Sequence, residues 1–448
     1  MSSSSISPAD GLARALRRVG LPGPVGLERL SGGANMESSR FSAGAEVLVL
    51  RRAPSAAMMA DRPLDHAGEA SLIRAAKAHG VIAPEVVVEL APEDGIGSGF
   101  VMRALPGTAD PHSILVDGNP ARLLRDIAHS LAAIHRIPID RVRAAPVLDT
   151  AVALAGLRER FIEHGADRPV LALTLRWLEA NLPGPVPLRL VHGDYRLGNL
   201  LVEDGRLTGV LDWELAHRGD FHEDLAFGCM TVWRFTRPDR PAFGLGSLDD
   251  WFAAYEAAGG EQVDAARFRF WLVYRTLWWA LGCLDMGKYW REGMDRSLER
   301  VVIARRTSEQ ELDLLVLLEE DAPEAERGAK VPRSDLRDMT PVSGEPAVSE
   351  ILTAVSEWLA ADIKPLVEGR NKFDLAVARN ALGIVTRELA QRPLATDATL
   401  AGELLSGMAG LATPGLLARL RRMTLDKVTA DMPKYPGLAI ARARWEGT

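Results

Sequence analysis

Apolar residues recur along this chain in two different rhythms. Near the start they fall in short runs, over 27–30, 36–41 and 46–52, separated by Ser31-Gly32-Gly33-Ala34-Asn35 and by Ala43-Gly44. Short runs bounded by turn residues predict β-strands. An opening helix over 9–20, closed by Gly20, precedes them. A second helix is predicted over 69–79, with Leu72, Ile73 and Ala76 turned inward, followed by strands over 85–90 and 99–103. From residue 120 the spacing lengthens to three and four. Leu123, Leu124, Ile127, Leu131 and Ile134 mark a helix over 121–135, and similar patterns cover 149–164, 168–181 and nearly all of 249–318. Strands first and helices afterwards give an α+β chain.

One stretch interrupts the helical half. Residues 190–224 read LVHGDYRLGNLLVEDGRLTGVLDWELAHRGDFHED. Leu200-Leu201-Val202 and Val210-Leu211 flank the turn Glu203-Asp204-Gly205-Arg206, which predicts a hairpin with Asn199 at its entry and Asp212 at its exit. Closing that hairpin brings together an amide and a carboxylate, both hard oxygen donors of the kind magnesium selects. Asp194 sits just before them, on the tight turn that His192-Gly193 permits. Phosphoryl transfer to a hydroxyl needs a carboxylate to take the acceptor's proton and a divalent cation against the phosphate charge. Turn capping is the plainer reading of any one of these residues, but it does not account for their joint spacing.

The motifs His-Gly-Asp-x-x-x-x-Asn over 192–199, Leu-Asp-Trp-Glu over 211–214 and Gly-Asp-x-x-x-Asp-Leu-Ala over 219–226 resemble those of the aminoglycoside phosphotransferase and choline kinase-like family. The resemblance implies a protein-kinase-like two-lobe fold, with a small antiparallel N-lobe over 1–102 and a mostly helical C-lobe over 103–318. It implies an ATP- and Mg2+-dependent phosphotransferase, GTP being left open, with Asp194 as base and Asn199 and Asp212 as metal ligands. Ser31, Gly32 and Gly33 would form the phosphate cover, where missing side chains let backbone amides come close. Arg51 ends an apolar run where the family pattern has a phosphate-binding cation, and strand alternation puts only one of Arg51 and Arg52 on the cleft face. Glu69 resembles the helix-borne glutamate that positions that cation. Residues 98–107 resemble the hinge that meets adenine, where Met102 either packs in the core or touches the base. Asp224 resembles the carboxylate that anchors the catalytic loop. Phe221 stands where family members usually have proline.

Some residues keep two readings. Arg196 reaches substrate or phosphate, or is an exposed loop cation; Glu214 supports the metal site, or lies on the surface. Trp271, Tyr274, Trp278 and Trp279 read better as bulky core residues than as an acceptor pocket, because large aromatics dominate cores.

Composition narrows the field. The chain is 47% hydrophobic and 25% charged, as ordinary globular proteins are, and its net charge of -7 leaves no basic footprint for nucleic acid. Cys229 and Cys283 lie in apolar surroundings and read as buried thiols. No secretory pattern opens the chain, and the apolar run 271–284 is interrupted by Arg275 and too short to span a bilayer, so a cytoplasmic protein without a membrane partner is expected. Residues 319–346, charged and carrying Pro and Gly, read as a linker. Beyond it, helical spacing over 348–367, 371–391, 400–411 and 416–428 predicts a small all-α bundle occupying 347–448. That bundle resembles a helical domain found beside some phosphotransferases of the family, and a homo-oligomer or protein partner docking through it is expected.

The acceptor is expected to be a hydroxyl on a small molecule. A nucleotide-binding regulatory protein without turnover is the rival, because position 51 holds Arg rather than Lys. A protein kinase is disfavoured, since the stretch between Asp212 and Asp224 holds neither an Ala-Pro-Glu signature nor an activation segment.

Overall fold

The structure is a computed structural model describing residues 7–30, 36–54, 59, 62–116, 119–235, 237–295, 298–331, 348–391 and 396–446. The expected Ser31, Gly32, Gly33 and Asn35 loop lies outside the described residues. By contacts the chain forms two units, one of residues 1–149 and 184–268, the other of 150–183 and 269–448.

Among the described residues all strands belong to the first unit. Five of them, β1 (Val25–Arg29), β2 (Glu37–Ala43), β3 (Glu46–Ala53), β4 (Val86–Glu89) and β5 (Ser98–Arg103), form an antiparallel sheet in the order β1-β2-β3-β5-β4. Alternation along β3 sends Leu48 and Leu50 into a core with Phe41, Val88 and Val101. The helix Pro8–Arg17 closes that core with Leu12, Ala15 and Leu16. Each large apolar side chain buried there contributes on the order of 2 kcal/mol.

The helix expected from residue 69 begins earlier, at His66, and runs to Ala78. Asp65 caps it, its carboxylate accepting the Gly68 N–H at 2.7 Å. Glu69 therefore sits in the first turn and is buried.

Below the sheet, β6 (Arg189–Val191) pairs with β9 (His217–Gly219), and β7 (Leu200–Glu203) with β8 (Arg206–Val210). The hairpin predicted from sequence is thus present, and Asp204 and Gly205 at its turn both have positive φ, 50° and 68°. Those angles suit the right-handed twist of the flanking strands. The helix after Gly219-Asp220 is short: it spans His222–Phe227, with a separate turn of 3-10 helix at Thr231–Trp233. Gly228, just past its end, packs so close to the Phe243 ring that a Cβ would stand 2.2 Å from it, and its carbonyl accepts the Phe243 N–H at 3.2 Å.

The second unit is helical. Its central helix, Thr307–Leu318, buries Thr307, Glu309, Gln310, Glu311 and Asp313 as well as its leucines. Partners come from the C-terminal helices Leu416–Asp431 and Pro436–Trp445, the second of which periodicity does not predict. Lys427 Nζ donates to Glu311 at 2.7 Å, and Tyr435 Oη donates to Asp313 at 2.5 Å. Glu319, where the expected linker begins, is buried and accepts from Arg421 at 2.8 Å and from Trp445 Nε1 at 2.7 Å. Trp271 and Tyr274 are buried in this unit, Trp278 and Trp279 half-buried. No described helix is long and apolar enough to cross a membrane. An antiparallel sheet with its packed helix, followed by a mostly helical chain and extra C-terminal helices, matches the expected protein-kinase-like α+β fold.

Candidate active site

The turn that carries Asp194 is set by one glycine and one buried carboxylate. Gly193 has φ +82°, and a Cβ there would stand 2.4 Å from the Leu215 carbonyl oxygen, so only glycine fits. Asp224, fully buried, accepts the backbone N–H groups of His192 at 2.7 Å and Gly193 at 2.9 Å. Its Oδ2 also lies 3.1 Å from His135 Nε2. Burial alone would raise the Asp224 pKa, but the bond to His135 and the loop amides hold it below the usual value. Asp224 thus anchors the loop, as the family pattern implies.

His192 braces the same turn. Its Nδ1 accepts the Asp194 N–H at 3.3 Å, which leaves Nε2–H to donate to the Leu211 carbonyl at 3.0 Å. Burial lowers the pKa of its ring against the pull of Asp224.

Asp194 and Asn199, predicted as base and metal ligand, come together. Asn199 Nδ2 donates to Asp194 Oδ2 at 2.6 Å and to the Asp194 carbonyl at 3.0 Å, leaving the amide oxygen as the cation-seeking atom. Burial pushes the Asp194 carboxyl above its ordinary pKa against the pull of Arg196. Arg196 is no free loop cation: its Nε donates to Asp194 at 2.8 Å, and its guanidinium lies 4.2 Å over the Trp233 ring.

Asp212 is brought to Asn199 by the hairpin, whose ends are tied by the Leu211 N–H on the Asn199 carbonyl at 2.8 Å. It holds φ +65°, a left-handed conformation uncommon for a non-glycine residue and of the kind that gathers at functional sites.

Arg51, Glu69 and Asp212 meet from three separate elements. Arg51 Nη2 donates to Asp212 at 2.7 Å, and its Nε pairs with Glu69 at 3.1 Å. Arg52 turns the other way, to Glu37 at 2.7 Å, as strand alternation requires. Glu214, left undecided by the sequence, accepts from Arg51 at 2.6 Å and from Arg62 at 2.8 Å. Arg62 lies in a stretch without periodicity, and nothing local in the sequence singles it out. Three carboxylates around two guanidiniums leave negative charge in excess. Burial, countered by Arg51 and reinforced by Asp212 and Glu214, pushes the Glu69 carboxyl up to about 7.

Met102 is half-buried on β5 opposite Val49. The chain leaving β5 is pinned to the lower hairpin by the Thr108 N–H on the Val202 carbonyl and its reverse, both at 2.9 Å.

Among the described residues no group of three or more His, Cys, Asp or Glu side chains is gathered as a closed metal site. The available donor set is one carboxylate and one amide oxygen inside an electronegative cluster. That suits magnesium, which keeps water and substrate phosphates as ligands, better than a metal needing a full protein cage.

The model of the phosphotransferase enzyme family matches residues 26–265, and that of a domain of unknown function matches 365–435. Acyl-CoA dehydrogenase family member 10 of Mus musculus is 26% identical over 277 residues, 55% of this chain and 25% of that protein. A probable acyl-CoA dehydrogenase of Arabidopsis thaliana is 24% identical over 217 residues, 40% of this chain and 25% of that protein. The chain therefore spans about a quarter of the length of these curated relatives. Among solved structures, an aminoglycoside phosphotransferase in ternary complex with ADP and hygromycin B has a TM-score of 0.49 at 18% identity, covering 69% of this chain and 97% of its own. A macrolide 2'-phosphotransferase from Brachybacterium faecium has a TM-score of 0.45 at 23% identity, covering 64% and 94%.

Proposed function

The chain belongs to the phosphotransferase enzyme family, and from that premise we propose that it is an ATP-using, magnesium-dependent kinase acting on a hydroxyl of a small molecule. The observation that carries this reading is the convergence of Asp194, Asn199, Asp212 and Arg51, which come from one loop, two ends of a hairpin and an N-lobe strand.

In this reading Asp194 takes the acceptor's proton as the hydroxyl oxygen attacks. Its raised pKa brings it nearer the working pH, which is where a general base is most effective. Asn199 keeps the carboxylate oriented through its amide N–H. Asn199 Oδ1 and the Asp212 carboxylate would hold Mg2+, which when bound neutralises charge on the phosphate oxygens. Arg51, steadied by Glu69, leaves Asp212 to clamp the phosphates with its fork of N–H donors. Stretch 98–107, with Met102, is assigned to the adenine side, and the glycines at 32 and 33 to the phosphate cover.

The acceptor panel follows from the relatives. Aminoglycosides and macrolides belong in it because solved relatives are named for them, and hydroxylated acyl thioesters because curated relatives are named acyl-CoA dehydrogenases. Amino alcohols and sugars complete it. The test is ADP release from Mg-ATP with each acceptor, with phosphorus NMR on the product. A new phosphate ester formed with one acceptor class supports the kinase. Nucleotide binding without a phosphorylated product from any acceptor supports the regulatory alternative instead.

A further inference from the structure

We infer that Arg62 is a second phosphate-binding cation of the nucleotide site, and that Glu214 is the counter-ion holding both arginines in place when no polyphosphate is bound. This rests on the kinase reading above. The carrying observation is that Arg51 Nη2 and Arg62 Nη1 donate to the same oxygen, Glu214 Oε2, at 2.6 and 2.8 Å. Arg51 has Asp212 and Glu69 as further partners, whereas Arg62 has Glu214 alone among the described residues. A polyphosphate would offer several anionic oxygens to the two planar forks, with the charge of Asp212 taken up by the bound cation.

The placement fits such an exchange. Arg51 reaches the cluster from β3 and is nearly buried, whereas the Arg62 side chain is 21% exposed and stands on the solvent side. With the described residues, Arg62 uses only Nη1, for Glu214, so Nε and Nη2 remain as donors.

Binding calorimetry with ATP, ADP and adenosine tests this on the full chain. Arg62→Ala is expected to weaken ATP about tenfold, ADP less, and adenosine not at all, the scale of one charged hydrogen bond. Arg62→Lys should recover part of the loss, and Glu214→Gln should leave ATP binding equal or tighter. Unchanged ATP affinity in Arg62→Ala, or equal weakening of adenosine, would overturn the inference and leave the kinase reading standing. Weaker ATP in Glu214→Gln would overturn the counter-ion role. A wild-type chain that binds no nucleotide would sink both.

Discussion

Asp224 and His66 show how single buried groups set conditions for the site. Replacing Asp224 with Ala leaves the N–H groups of His192 and Gly193 unpaired in the interior, at about 1–3 kcal/mol each. Thermal unfolding of Asp224→Ala should fall accordingly, with activity lost as the Asp194 turn loosens. His66 acts through pH. Its Nδ1 lies 3.0 Å from Ser98 Oγ, and burial, then Arg51 and Arg62, lower its pKa to about 4. The folded chain therefore resists protonating a group that the unfolded chain protonates near 6.5. That contribution to stability is complete above pH 6.5 and is lost as pH falls toward 4. Melting temperature should drop across this window in the wild type and less in His66→Gln; equal slopes would refute it. Asp194, Asn199 and Asp212 are legible as a set because their spacing is local. Arg62 is not, since its partner Glu214 lies 152 residues away.

At the scale of elements, the hairpin and the loop before it depend on glycine for different reasons. Gly205 has φ +68° in an Asp-Gly turn, so Gly205→Ala should cost about 1 kcal/mol of stability and leave turnover intact. Gly193→Ala should abolish turnover, because its Cβ would meet the Leu215 carbonyl and displace Asp194. Steady-state kinetics beside thermal melts separates the two, and equal activity in both variants would count against the loop geometry. The hairpin is readable because Asp-Gly between apolar runs is a local signal. The start of the helix at His66 is less so: periodicity picks out Leu72, Ile73 and Ala76, whereas the true boundary lies in the Asp65 cap. Beyond Phe227 the Gly228 carbonyl accepts from the Phe243 N–H, a partner that no local pattern contains.

At the scale of the molecule, the helical unit is held by polar groups that sequence patterning would place on its surface. Glu309, Glu311 and Asp313 break the apolar rhythm of Thr307–Leu318, yet each is buried, and Glu311 and Asp313 are met by Lys427 and Tyr435 from the C-terminal helices. Charge, Pro and Gly make residues 319–346 read as a linker, while Glu319 at its start is buried against Arg421. Arg421→Leu should therefore cost on the order of 3 kcal/mol, whereas Arg370→Leu, which removes an exposed pair with Glu299, should cost under about 1 kcal/mol. Urea unfolding of both variants checks the contrast. The central claim concerns the other unit, and Asp194→Asn addresses it most directly. ATP affinity and phosphoryl transfer to the responsive acceptor should be measured on the same preparation. The account predicts unchanged ATP binding with transfer reduced about a hundredfold or more. Transfer at the wild-type rate, or a loss that merely follows weakened ATP binding, would contradict Asp194 as the base.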